Sequence, residues 1–276
     1  MKRYSAQRWC WILAGAVAAA SAVHAQEQRA PWPSERFNPS PQRNLAGEFD
    51  YYALVLSWSP SYCSEAGDDD QQCNRRDGKR YSFVLHGLWP QYEKGYPESC
   101  RTARRPYVPQ PLIDGMLDIM PSTRLVIHEY RKHGTCSGLA PDAYYGLARK
   151  LFSSIRIPQR YQNPFESQYA SPDELESEFR HANPTISPDA MAVVCGGAGS
   201  RLKEIRLCFS REGQSRSCGD NENQGRLCSA NRMFIPPARS TVRADDYGQG
   251  SKAQSDSGDS KPTIPRPRVI EMLRDF

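Results

Sequence analysis

The stretch HEYRKHGTC, residues 128–136, decides how this chain is read. The 276-residue sequence has five histidines, and two of them fall here with a glutamate and a lysine close by. A zinc-protease helix carries HExxH, in which histidines four apart share one face. That count fails. His128 and His133 are five apart, about 140° around a helix that turns ~100° per residue. The pair cannot chelate one metal in that manner, and no cofactor is expected. What aligns instead is Glu129 with His133, and His128 with Lys132, each pair four apart. One helical turn would then set an acid, two imidazoles and an ammonium around a common edge. A carboxylate beside His133 would raise its pKa and fix its orientation, and the lysine would act the other way. Three cation-capable groups side by side are costly unless an anion joins them, which points to phosphate. The plain alternative is a solvated helix face held by a salt bridge.

A second cluster, HGLWPQ at residues 86–91, places His86 at the end of an apolar run. A histidine there can be a core residue satisfied by hydrogen bonds. Trp89, however, offers a flat stacking surface near an imidazole. An aromatic platform beside acid–base groups suits single-stranded nucleic acid.

The ends of the chain bear on where it works. Lys2, Arg3 and Arg8 precede or enter an apolar run over residues 9–23, and Val23-His24-Ala25 offers small residues at −3 and −1 of a cleavage point. This predicts a signal peptide over 1–25, with the mature protein periplasmic or secreted. No other stretch approaches the ~20 apolar residues of a spanning helix, so no membrane anchor is expected. Of nine cysteines, Cys10 leaves with the signal, and the remaining eight are an even set in an exported chain, which implies disulfides. Removing Lys2, Arg3 and Arg8 from 36 Lys+Arg leaves 33 against 31 Asp+Glu, a net +2. A balance that small does not announce nucleic-acid binding by bulk charge, so recognition of such a partner must be local.

Residues 26–46 are rich in Pro, Arg and Asn and read as a flexible leader; residues 239–276 turn to Ser, Asp, Gly and Lys and read as a disordered tail. The span 47–238 is enough for one well-cored domain. Within it, residues 49–58 and 81–89 are aromatic and β-branched and read as buried strands, as do 190–197 and 202–210. Residues 111–121 and 141–155 have helical spacing, and Ser171 with Glu174 and Pro172 mark a capped helix start. Strands and helices mix without regular alternation, which predicts an α+β fold. Asp68-Asp69-Asp70 lacks EF-hand spacing and reads as a solvated loop. His181 reads as a helix-end residue facing solvent. Arg101, Arg104 and Arg105 could steer RNA or be an idle patch.

Together the two boxes resemble the ribonuclease T2 family of secreted acid RNases, whose signatures are HGLWP and HExxKHGxC. Here they are His86-Gly87-Leu88-Trp89-Pro90 and residues 128–136. The resemblance runs from Phe49 to Cys228 and implies a central, mostly antiparallel sheet with flanking helices. It implies a metal-independent endoribonuclease acting on single-stranded RNA, as a monomer. The 2′-OH would attack phosphorus to give a 2′,3′-cyclic phosphate, hydrolysed later. His86, Glu129, Lys132 and His133 would be catalytic, with His133 the base and His86 the acid. His128 would hold phosphate, and Trp89 is the candidate for stacking on a base. The residues themselves do not distribute the acid and base roles, which exchange between the two steps. The family pattern further suggests the pairs Cys63–Cys73, Cys100–Cys136, Cys195–Cys228 and Cys208–Cys218. Gln91 stands where some members carry an acid, and Leu125 replaces a frequent aromatic, so low base specificity is expected. An RNase-like scaffold serving as a binding or toxin module is the second reading, and the four intact catalytic groups argue against it.

Overall fold

Tyr51–Trp58 forms β1, buried along nearly its whole length. Its apolar run from Tyr51 to Leu56 fits a strand covered on both faces. It lies between β2 (Phe83–Gln91) and β5 (Arg201–Phe209) and is antiparallel to both. The computed structural model describes residues 44–66, 71–73 and 75–239. The expected signal peptide, the leader up to residue 43, the Asp68–Asp70 loop and the tail from residue 240 lie outside them.

β4 (Met191–Gly196) pairs antiparallel with β5. A short antiparallel pair, β3 (Gln168–Ala170) and β6 (Met233–Ile235), joins β5 through one parallel rung, Arg201 opposite Phe234. The sheet is therefore mostly antiparallel, and helices lean on it: an α+β fold, as the sequence implies. The helices are α1 (Ser59–Ala66), α2 (Gln110–Met116), α3 (Thr123–Lys132), α4 (Pro141–Ser154), α5 (Pro172–Ala182) and α6 (Gln224–Leu227). At the start of α5 both arms of the expected capping box form. Glu174 N donates to Ser171 Oγ at 3.1 Å, and Ser171 N donates to Glu174 Oε2 at 2.8 Å.

Two helices are shorter than the sequence suggests. α2 stops at Met116, next to the poor helix former Gly115. The chain then turns so that the Ile119 carbonyl accepts from Leu85 N at 2.9 Å and Met120 is fully buried. α3 ends at Lys132, and residues 134–137 tighten into a 3-10 turn. His133 is thus a helix cap, not a helix-face residue.

Three devices hold the strand and helix that carry the two boxes. Tyr144 of α4 donates to the Leu88 carbonyl at 2.8 Å, and its neighbour Tyr145 donates to the Val126 carbonyl of α3. One helix thereby anchors both elements. The Cys100–Cys136 disulfide ties the chain after β2 to the end of α3, and Ser99 N donates to the Lys132 carbonyl at 2.7 Å. The third device is a β-bulge. In the β1–β2 register Val55 faces Gly87 while Leu56 faces Leu85, so His86 is the extra residue. A bulge re-aims a side chain out of the regular alternation, a placement common beside active sites. The other bridges are Cys63–Cys73, Cys195–Cys228 and Cys208–Cys218, the same pairs the family pattern suggests.

Candidate active site

β2, α3 and β5 converge on a cleft of about 530 Å³. His86, Trp89, His128, Glu129, Lys132 and His133 all line it. The six residues singled out in the sequence are brought together.

Glu129 is 1% exposed, and burial pushes its carboxyl above the usual range, although His86, the Trp89 N–H and Lys132 oppose the rise. Its partners are not those expected from helix spacing. Oε2 accepts from Trp89 Nε1 at 2.7 Å, and Oε1 lies 3.7 Å from His86 Nε2. His133, four residues on at the helix cap, still donates its backbone N–H to the Glu129 carbonyl at 2.9 Å, but the Glu129 carboxylate does not raise its pKa. His133 is instead buried, and its Nδ1 has no hydrogen-bond partner among the described residues. Burial first, then the charges of Lys132, His86, His128 and Arg206, lower its pKa to about 3.

His86 has the opposite surroundings. Its side chain keeps 32% of its surface, and Nδ1 sits 3.1 Å from Ser57 Oγ and 3.3 Å from Glu204 Oε2. Burial pulls its pKa down, but the Glu204 hydrogen bond and the charges of Glu129 and Glu204 outweigh that and raise it. One imidazole is biased to be neutral and the other to be charged. Environments that push two titratable groups apart are how acid and base roles are divided.

Trp89 is half-buried within this cluster. Its ring stacks on His133 at 4.9 Å and 23°, meets the His86 ring edge-on at 5.2 Å and carries the Arg206 guanidinium 5.1 Å from its centroid. Expected to stack on a base, Trp89 uses its N–H and ring here to contact Glu129, His86 and His133. Gly87 explains the spacing of HGLWP. A Cβ there would run into the Glu129 carboxylate and fall 2.6 Å from Trp89 Nε1.

His128 is exposed at the mouth of the cleft, its pKa lowered by partial burial and by Lys132 and His86. Lys132 Nζ lies 3.7 Å from Glu98 Oε2. With Arg206 they form the cationic side of the cleft, suited to a phosphate.

Sequence reasoning missed Glu204 and Arg206. The signal was partial: Glu204 and Arg206, two apart in a strand, must share one face, but Arg201 and Lys203 in the same strand kept the pair from standing out. Tyr96, Asn221 and Arg226 also line the cleft and were not foreseen. Asn221 arrives through folding of the loop between Cys218 and Cys228, and its amide donates to Gln91 Oε1 at 3.0 Å. His181 is exposed near the end of α5, and Arg101, Arg104 and Arg105 are exposed in the loop after Cys100.

The profile of the Ribonuclease T2 family matches residues 49–218, and the chain belongs to that family. It is an endoribonuclease. It is 36% identical over 187 residues to a ribonuclease of Aeromonas hydrophila, covering 67% of this chain and 81% of the relative. Ribonuclease I of Escherichia coli is 26% identical over 212 residues, 60% of this chain and 77% of that protein. Two solved structures share the fold. RNase NT, in complex with 5′-AMP, has a TM-score of 0.54 at 23% identity, covering 69% of this chain and 99% of its own. Trichomaglin, an S-like ribonuclease, has a TM-score of 0.57 at 21% identity, covering 70% and 100%.

Proposed function

We propose that the enzyme cleaves single-stranded RNA by transphosphorylation, without a metal and with low base specificity. The observation that carries this reading is the opposed electrostatics of His133 and His86 in one cleft. Neutral His133 takes the proton of the 2′-OH; the oxygen attacks the adjacent phosphorus. Charged His86 gives its proton to the departing 5′-oxygen. The products are a 2′,3′-cyclic phosphate and a free 5′-OH. Each proton transfer contributes typically ~10²–10⁴-fold. Lys132 and His128 face the phosphoryl group as its charge builds, while Glu129 acts through His86 and Trp89, to which its two oxygens are turned. In the hydrolysis step the roles reverse. Water takes the place of the departed 5′-oxygen and gives its proton to His86, the bond from phosphorus to the 2′-oxygen breaks, and His133 returns a proton to that oxygen. Gln91, buried and held by Asn221, presents a neutral amide rather than a charge, which supports low base specificity.

Export is part of the same reading. The basic start, the apolar run and the small residues before Gln26 support cleavage after Ala25, and four disulfides suit an oxidising compartment. N-terminal sequencing of the protein from cell fractions should begin at Gln26, outside the cytosol. Sedimentation should give a monomer. Among the described residues no helix is long and apolar enough to cross a membrane.

The test of the chemistry is product analysis on short single-stranded RNA at about pH 5 with excess EDTA, where a base and an acid histidine coexist. Cyclic phosphate ends support the mechanism. Intact RNA from folded, oxidised protein would sink it and favour a binding scaffold.

A further inference from the structure

On its Nδ1 side His86 meets a built hydrogen-bond chain. Glu204, 9% exposed, sits on β5 directly opposite Ser57 of β1. Its Oε1 accepts from both Nε and Nη2 of Arg206, at 3.0 and 2.9 Å. That fork leaves Oε2 for the imidazole. Arg206 is held in turn by Glu222 at 3.5 Å, and the Tyr51 hydroxyl donates to Glu222. The chain runs from the interior of the sheet to the catalytic ring.

We propose that Glu204 is the positioning residue of His86: it accepts the Nδ1–H and so fixes the ring with Nε2 as the atom that delivers the proton to the departing 5′-oxygen. The inference rests on the transphosphorylation reading and supplies the origin of its acid. A carboxylate paired with arginine is ionised and can only accept, so the proton between the two groups belongs to Nδ1. Ser57 Oγ, 3.1 Å away, is a neutral second neighbour that cannot supply charge. The balance of groups agrees. α3 brings Glu129, His128, Lys132 and His133 to the cleft, β2 brings Trp89 and β5 brings Glu204 and Arg206. The two carboxylates outweigh burial and the nearby cations, and the charged ring is favoured. Burial pushes Glu204 itself up, but His86 and Arg206 hold it below the usual carboxylate value.

A general acid matters only when the leaving group needs a proton, and this separates positioning from general damage. The isosteric Glu204→Gln enzyme should be compared with wild type on a dinucleoside monophosphate and on a nucleoside 3′-(4-nitrophenyl phosphate). On the first, kcat should fall roughly 10–100-fold, part of the ~10²–10⁴-fold of one proton transfer; on the second, less than about threefold. The alkaline limb of kcat/KM should also move to lower pH. Equal losses on both substrates, or an unmoved alkaline limb, would overturn the assignment. Histidine ring 15N spectra of wild-type protein read the same claim without a variant. Above its pKa the neutral His86 ring should carry its proton on Nδ1; a proton on Nε2 overturns it. Wild-type products from both substrates are assayed in parallel. If neither yields the cyclic phosphate, the transphosphorylation reading falls, whatever Glu204 does.

Discussion

Trp89 Nε1 donates to Glu129 Oε2 at 2.7 Å, and this bond joins β2 to α3 inside the cleft. It ties the HGLWP box to the HEYRKHGTC box through their side chains. Trp89→Phe keeps an aromatic ring beside His133 and deletes the donor. A buried carboxylate left without that donor costs about 1–3 kcal/mol. Thermal unfolding should show the loss. Kinetics on a dinucleotide should show roughly a tenfold fall or more in kcat/KM, the effect of about 1.4 kcal/mol at the transition state. Unchanged values in both assays would mean the bond holds nothing in place.

Gly87 predicts a sharper effect. The Cβ of alanine cannot fit between the backbone and the Glu129–Trp89 pair without moving one of them. Gly87→Ala should therefore fold, with its disulfides closed, yet lose roughly 100-fold or more in kcat/KM, the scale of catalytic groups misplaced by about 1 Å. Near-normal turnover would show that the cleft can shift to accept a methyl group.

Much of this architecture is legible in the sequence, and the exceptions share a cause. The apolar run of β1, the Ser171–Glu174 cap and Pro141 at the start of α4 are local signals, and the structure follows them. The partners of His86 are not local. Ser57 and Glu204 reach it only because β1 is sandwiched between β2 and β5, and because the strand register skips one residue at position 86. Likewise, helix periodicity pairs Glu129 with His133, and the backbone bond between them forms, but periodicity says nothing of what β2 offers the carboxylate. Tertiary contacts then hand the carboxylate to Trp89 and His86.

The Cys100–Cys136 bridge spans 36 residues and fastens the end of α3 to the chain after β2. Removing it by Cys100→Ala with Cys136→Ala should cost roughly 3–4 kcal/mol, lowering Tm by roughly 5–15 °C. Activity should be lost through stability, returning as temperature is lowered. A retained Tm would count against a structural role for the bridge.

The two histidines also set the pH–rate profile. His133 must be neutral to act as base, and its pKa of about 3 puts the acid limb well below the ordinary histidine value. His86 must be charged to act as acid, and its raised pKa puts the alkaline limb above the ordinary value. The enzyme should work across a broad, mildly acidic range, losing activity as pH rises past the His86 limb. Profiles of kcat/KM on a dinucleotide read both limbs. An acid limb at the ordinary histidine value would show that burial and the neighbouring cations do not lower the His133 pKa in the working enzyme.

The same burial makes His133 a source of acid lability. Its folded pKa, about 3, lies below the ordinary 6.5, so the unfolded chain takes up a proton that the folded site refuses. Stability is lost as pH falls through that window, at up to about 1.4 kcal/mol per pH unit from this one group. His86 acts in the other sense: its raised pKa adds stability below the ordinary value, lost as pH rises through the folded one. His133→Asn removes the refusing group and leaves His86 in place. Denaturant midpoints from about pH 6.5 to about pH 4 should then fall less steeply than in wild type. Parallel curves would mean that His133 is already free to protonate in the folded protein, and neither its burial nor its neighbouring cations keep it neutral.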